Sequence, residues 1–188
     1  MIVILDNGHG VDTAGKRSPL WPDGSQLFEY EFNRDIVKRI AVKIPECFVL
    51  VPELTDVSLK TRVDRCNLIA SRNKSKGCLL LSIHANAGGG TGWEAYTTGG
   101  VTSSDKYATM LYEEAKLILP QFTIRKDVSD GDPDKEAPFY IIKNTMCPAV
   151  LTENLFMDSK RDCRFIMSEE GRSAIAQIHI NFIRKINV

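Results

Sequence analysis

The stretch Gly77 to Gly90, GCLLLSIHANAGGG, decides how the rest of the chain is read. It opens with Leu79, Leu80 and Leu81 unbroken by any polar residue and closes on Ser82, His84 and Asn86 before three glycines. A continuous apolar run bounded by glycine fits a central strand covered on both faces, and open α/β sheets bind their ligands at the carboxyl ends of such strands. MIVILDNGHG at the amino terminus repeats the pattern, an apolar strand running into Asn7, Gly8 and His9. Two strands that each end in histidine predict one site built from two strand ends.

Working outward, Ile2 to Asp6 reads as a first strand, followed by a loop from Asn7 to Gly24 rich in glycine, proline and aspartate. That length favours a functional loop over a simple connector. Phe28, Phe32, Ile36, Ile40 and Ile44 recur at spacing four, which predicts a helix over Leu27 to Ile44, ended by Pro45. Cys47 to Val51 reads as a short strand, and Ser58 opens a second helix to about Asn73 with Leu59, Val63, Cys66 and Ala70 facing inward. After the His84 strand come a strand at Trp93 to Thr98 and a helix capped by Ser103 or Ser104 and stopped by Pro120. Gln121 to Ala137, with DVSDGDPDKE inside it, reads as a polar surface loop. Phe139 to Ile142 and Ala149 to Thr152 read as two more strands, and Ser159 to Met167 and Gly171 to Ile186 as closing helices. The alternation predicts a single α/β domain over residues 1–188, with a mostly parallel, twisted sheet of about six strands and helices on both faces.

Composition narrows the function classes. Of 188 residues, 43% are hydrophobic, enough for one well-packed core. Lys plus Arg and Asp plus Glu are equal at 24 each, so no global field favours nucleic acid or an anionic membrane. No apolar run approaches the roughly 20 residues that span a bilayer, and MIVILD runs straight into the first motif, so no export leader is expected. The expectation is a chain folded in the cytoplasm that reaches its site of action by release, or a domain of an exported protein. The five cysteines, Cys47, Cys66, Cys78, Cys147 and Cys163, are odd in number and scattered, against both a disulfide framework and a cysteine zinc cluster.

The chemistry centres on His9 and His84. A zinc site at strand ends needs neutral imidazoles and usually a carboxylate, with a position left open if it is catalytic. Glu29, Glu31 and Glu153 are the carboxylates that can reach the same rim, the last at the end of the strand AVLTE. Glu153 suits a proton-transfer role beside the ion. Each residue also has a structural reading: a hydrogen-bonded histidine, a helix-start carboxylate at Glu29, a polar strand terminus at Glu153. His179, among Ile175, Ile178, Phe182 and Ile183, reads as structural.

The chain resembles the zinc-dependent N-acetylmuramoyl-L-alanine amidases of the amidase 3 type nearly end to end. Ile4 to Gly10, ILDNGHG, is similar to the family's opening strand and first zinc histidine, and Glu29 with Asn33 to its glutamate and asparagine at the start of the first helix. SIHANA at Ser82 to Ala87 resembles the third ligand motif, and PAVLTENLF at Pro148 to Phe156 the strand that ends in the catalytic glutamate. LKTRVDRCN at Leu59 to Asn67 and the tail from Asp162 to Ile183 follow the same pattern. The resemblance implies a phosphorylase/hydrolase-like fold and Zn²⁺ held by His9, Glu29 and His84, with Glu31 set aside. It further implies Glu153 as catalytic residue, peptidoglycan or its muropeptides as substrate, and cleavage between N-acetylmuramic acid and L-alanine. An endolysin or prophage-derived catalytic domain is the expected setting, without a separate wall-binding domain. The alternatives are a zinc peptidase acting within the stem peptide and a non-catalytic wall-binding module. Two departures stand out: Val11 where the family has a second glycine, and Pro52, Glu53 and Leu54 where it has a Thr-Arg pair. They bear on loop shape and substrate preference. Asn86 and Trp21 are the candidate substrate contacts, and Asp6 and Asn7 the candidates to steady His9.

Overall fold

A continuous apolar run on a central strand gives a sheet two faces to cover, and this chain covers both. The computed structural model describes residues 1–187. In chain order the elements are β1 (Ile2–Asn7), α1 (Glu29–Lys43), β2 (Phe48–Val49), α2 (Leu59–Arg72), β3 (Cys78–Asn86), β4 (Trp93–Thr97), α3 (Asp105–Ile118), β5 (Lys135–Glu136), α4 (Tyr140–Lys143), β6 (Ala149–Phe156), α5 (Lys160–Met167) and α6 (Glu169–Ile186). The six strands lie in the order β2-β1-β3-β6-β4-β5. The first four are parallel; β4 runs antiparallel to β6, and β5 parallel to β4. Val3, Leu5, Leu79, Leu81 and Ile83 point into the larger core with the buried faces of α1, α3, α5 and α6. Ile4, Leu80 and Leu151 point the other way, onto Val63 and Cys66 of α2 and Ile141 and Ile142 of α4. Among the described residues, no helix is long and apolar enough to cross a membrane.

The helix starts show which local signals operate. The Ser58, Ser159 and Ser168 hydroxyls accept backbone N–H groups at the starts of α2, α5 and α6. Ser104 precedes α3, yet its hydroxyl accepts from Ala149 N of β6 instead of capping the helix. Leu59, expected inward, is exposed because it is the first residue of α2, ahead of the turn that meets the sheet.

One strand was misplaced by the sequence. Phe139 to Ile142 is rich in aromatic and β-branched residues, yet it forms the short helix α4, with Lys143 N bonded to Phe139 O and Asn144 N to Tyr140 O. A four-residue apolar run carries no period that separates strand from helix. Only Ile141 and Ile142 are buried, on adjacent positions of one helical turn. The missing strand is β5, inside the stretch read as a polar loop, where Tyr96 and Thr97 pair with Lys135 and Glu136.

The register at the sheet's centre positions the site. His84 of β3 pairs with Glu153 of β6, which pairs on its other side with Glu94 of β4. Residues paired in register project to the same face, so these three side chains share one rim. Directly beyond, two residues of β6 oppose one of β3, and Leu155 takes a left-handed φ of 69° within the bulge.

Candidate metal centre

His9 leaves β1 with a left-handed φ of 65°, which turns its side chain back over the strand ends. Its carbonyl is gripped by Arg34 Nη1 at 2.7 Å and Arg62 Nη2 at 3.3 Å, and the preceding carbonyl of Gly8 by Asn33 Nδ2 at 3.0 Å. Glu29 opens α1, and His84 lies two residues before the end of β3. One ligand atom from each of His9, Glu29 and His84 falls within 4.8 Å of the others. Glu29 Oε1 is 3.3 Å from His9 Nε2 and 3.0 Å from His84 Nδ1, and the imidazole planes cross at 83°. Glu29 Oε2 is buried without a hydrogen-bond partner. Burial alone would raise the Glu29 pKa, but hydrogen bonds and charge from His84 and His9 outweigh it and hold the carboxyl well below the usual range. Burial would lower that of His84, yet Glu29 and then Glu153 push it up. Glu31, two residues on, faces away and pairs with Arg172 at 2.9 Å.

The orientation of His84 follows from proton counting. Ser82 Oγ donates its one proton to Asp6 Oδ2 at 2.7 Å, so at 3.1 Å from His84 Nε2 it can only accept. That holds a proton on Nε2, so loss of the other proton, from Nδ1 facing Glu29, leaves the Nδ1 lone pair for an ion. Asp6 is in turn held by Arg62 Nη1 at 2.6 Å, with both side chains buried. Asp6 therefore steadies His84 through Ser82 and not His9, as its place in the sequence had led one to expect. Asn7 serves neither histidine; its Nδ2 donates to Val51 O at 3.0 Å.

Glu153 sits half-buried beside the cluster with Oε2 buried and unpartnered. Burial, reinforced by Glu29, pushes its carboxyl up to about 7 against the opposing pull of His84. Next to it, Glu94 carries a network that the sequence did not reveal: Oε1 accepts from Asn86 Nδ2 and Tyr96 Oη, and Oε2 from Arg125 and Lys135 at 2.7 and 2.8 Å. Asn86, expected at the substrate, thus has its amide turned to Glu94. Trp21 packs half-buried against the larger core and donates its indole N–H to Cys163 Sγ at 3.4 Å. His179 is buried between Thr152 Oγ1 and Ile175 O, a structural residue as expected. Arg34, Arg62 and Glu94 were missed as parts of the site; the two arginines reach His9 from α1 and α2, 25 and 53 residues along the chain.

The donor set fits zinc. Two imidazoles and one carboxylate are the ligand types of a catalytic site with an open position, and Glu29 Oε2 is a buried acceptor with no hydrogen bond, its cation neighbour Lys16 Nζ standing 4.0 Å away. Fold and site together define an α/β domain with a candidate mononuclear metal centre at its strand ends and a raised-pKa carboxyl beside it. The chain belongs to the N-acetylmuramoyl-L-alanine amidase family of the amidase 3 type, which matches residues 3–185.

Among its relatives, the N-acetylmuramoyl-L-alanine amidase CwlM of Bacillus licheniformis is 39% identical over 184 residues, covering 95% of this chain and 66% of that protein. The endolysin of Bacillus phage SPP1 is 30% identical over 192 residues, covering 98% and 65%. The chain thus spans just under two thirds of the length of these two relatives. In fold it is similar to the catalytic domain of the amidase CwlV from Bacillus (Paenibacillus) polymyxa var. colistinus, with TM-score 0.77 and 22% identity over 98% of this chain and 97% of that one.

Proposed function

We propose that this chain is a zinc-dependent hydrolase that cleaves the amide between N-acetylmuramic acid and the L-alanine of the peptidoglycan stem. Family membership supports the bond, and one structural observation carries the chemistry: His9, Glu29 and His84 converge at one rim, with Glu153 in register beside His84. His9, Glu29 and His84 would hold the ion, which when bound supplies Lewis acidity to the scissile carbonyl and an attacking water.

The chain's own groups do the rest. Ser82, with its proton committed to Asp6, keeps His84 in the tautomer that presents Nδ1. Glu153, near pKa 7, can be a carboxylate or an acid at neutral pH, as a group that both takes and returns a proton requires. Its unpartnered Oε2 receives the proton of the attacking water and returns it to the departing alanine nitrogen. Action at the cell wall, on muropeptides or intact peptidoglycan, belongs to the same reading.

The test is mass spectrometry of purified peptidoglycan after digestion with the protein, with and without chelator, and with Glu153→Gln. New L-alanine amino termini that vanish with chelator, return with Zn²⁺ and fall at least about 10²-fold in Glu153→Gln are the expected result. New termini inside the stem peptide would move the reading to a zinc peptidase. Full activity in Glu153→Gln would remove Glu153 from proton transfer.

A further inference from the structure

A second cluster of carboxylates lies on the far side of β4, away from the histidines. Asp105, the first residue of α3, and Asp132 and Asp134, from the loop before β5, each offer an oxygen within 4.8 Å of the others. Asp105 and Asp134 are only 8% and 2% exposed. Asp105 is fixed by Thr102, whose N and Oγ1 donate to Oδ2 and Oδ1 at 2.5 and 2.6 Å. Asp134 N donates to Asp132 Oδ1 at 3.3 Å, which folds the loop so that the two carboxylates face each other.

Three carboxylates this close, two of them buried, call for a counter-charge. Among the described residues none of the ion pairs involves any of the three. Of the cations nearby in sequence, Arg125 and Lys135 are committed to Glu94 and Lys106 lies over the Tyr107 ring. The second observation is independent of charge. Thr97 Oγ1 donates to Asp134 Oδ2 at 2.6 Å, whereas Asp134 Oδ1 is buried and no donor reaches it. That orphaned oxygen belongs to the most buried carboxylate of the cluster.

We infer that Asp105, Asp132 and Asp134 form a Ca²⁺ site, separate from the His9, Glu29 and His84 centre. The donors are all oxygen, which suits a hard cation and disfavours zinc. Three protein carboxylates on an irregular loop match the larger ion, because Mg²⁺ ordinarily keeps most of its water and takes one or two carboxylates. The ion would tie the start of α3 to the loop that enters β5. Lys135 follows Asp134 directly and pairs with Glu94, the register neighbour of Glu153. Occupancy would therefore stiffen the strand that backs the candidate active site without touching that site's ligands.

The test uses the full chain preloaded with Zn²⁺, so that the first centre is filled, and adds Ca²⁺ alone. Calorimetry is expected to show one further site per chain with a Kd of about 10⁻⁴–10⁻³ M. At tenfold excess over that Kd, Tm is expected to rise by about 4 °C. Asp134→Asn and Asp132→Asn should each abolish both responses; Asp132 is half-buried, so its variant remains informative if loss of the buried Asp134 compromises folding. No heat and no Tm shift up to about 10 mM Ca²⁺, or responses that persist in the folded Asp132→Asn protein, would overturn the inference. An equal response to Mg²⁺ would overturn the assignment to the larger ion.

Discussion

Two of the tightest tolerances near the candidate metal centre belong to residues with no side chain, Gly8 and Gly10. A Cβ on Gly8 would lie 2.1 Å from His84 Cε1 and 2.5 Å from its Nδ1. The ring has little room to retreat, since Nε2 is held by Ser82 and Nδ1 faces Glu29. Gly8→Ala is therefore expected to fold but to lose about 10–100-fold in Zn²⁺ affinity, read by competition with a chromophoric chelator. Unchanged affinity would show that the imidazole relocates at no cost. Gly10 differs in kind: a Cβ there would meet the backbone of Asp56 at 2.0 Å, so any substitution must move main chain. The importance of these glycines was legible only as motif, because what each would strike comes from another part of the chain. The departures from family pattern meet one another: Val11 N bonds to Leu54 O, and both side chains are exposed. They shape the loop surface, and Glu53 O accepts from Arg34 Nη2 at 2.7 Å, the side chain that also grips His9 O.

Among the elements, legibility followed the length of the pattern. α1 and β3 carry long, regular apolar signals, and both lie within about two residues of where the sequence places them. β5 has two residues and no apolar signature, and α4 has one turn, so tertiary contacts decided both. The candidate ligands stood out because each lies at or within two residues of the end or start of an element. The groups that hold them did not, because the relay from His84 through Ser82 and Asp6 to Arg62 crosses β3, β1 and α2. Arg62 is the joint of that relay: it bonds Asp6, Asp56, Val57 O, Asn7 O and His9 O while 2% exposed. Arg62→Met strands the buried Asp6 charge and should cost about 3–5 kcal/mol in urea unfolding. The double variant with Asp6→Asn should cost less than the sum of the two singles, since the stranded charge is then gone. Strict additivity would mean that the pair acts on separate parts of the fold.

For the whole molecule, two groups on opposing faces of β6 contribute pH slopes of opposite sign. Glu153, at the rim, has its pKa pushed up by burial from 4.5 to about 7. Unfolded chains ionise it above pH 4.5 while the folded one does not, so its contribution is full below that pH and is lost as pH rises through 7. His179, packed behind Thr152, is pushed down by burial from 6.5 to about 4. Its contribution is present above pH 6.5 and is lost as pH falls through 4. Each shift is worth about 3 kcal/mol, and the two slopes oppose each other between pH 4.5 and 6.5. Glu153→Gln removes the first slope: its stability relative to the parent should rise by about 3 kcal/mol between pH 4.5 and 7. His179→Gln removes the second, so its stability relative to the parent should rise as pH falls from 6.5 to 4. Urea unfolding of the three metal-free proteins across this range reads both differences, and comparison with the parent cancels the groups they share. A flat difference for Glu153→Gln would mean that Glu153 is already ionised in the folded chain at pH 5, and a carboxylate of ordinary acidity could not return a proton efficiently to a departing amine near neutrality.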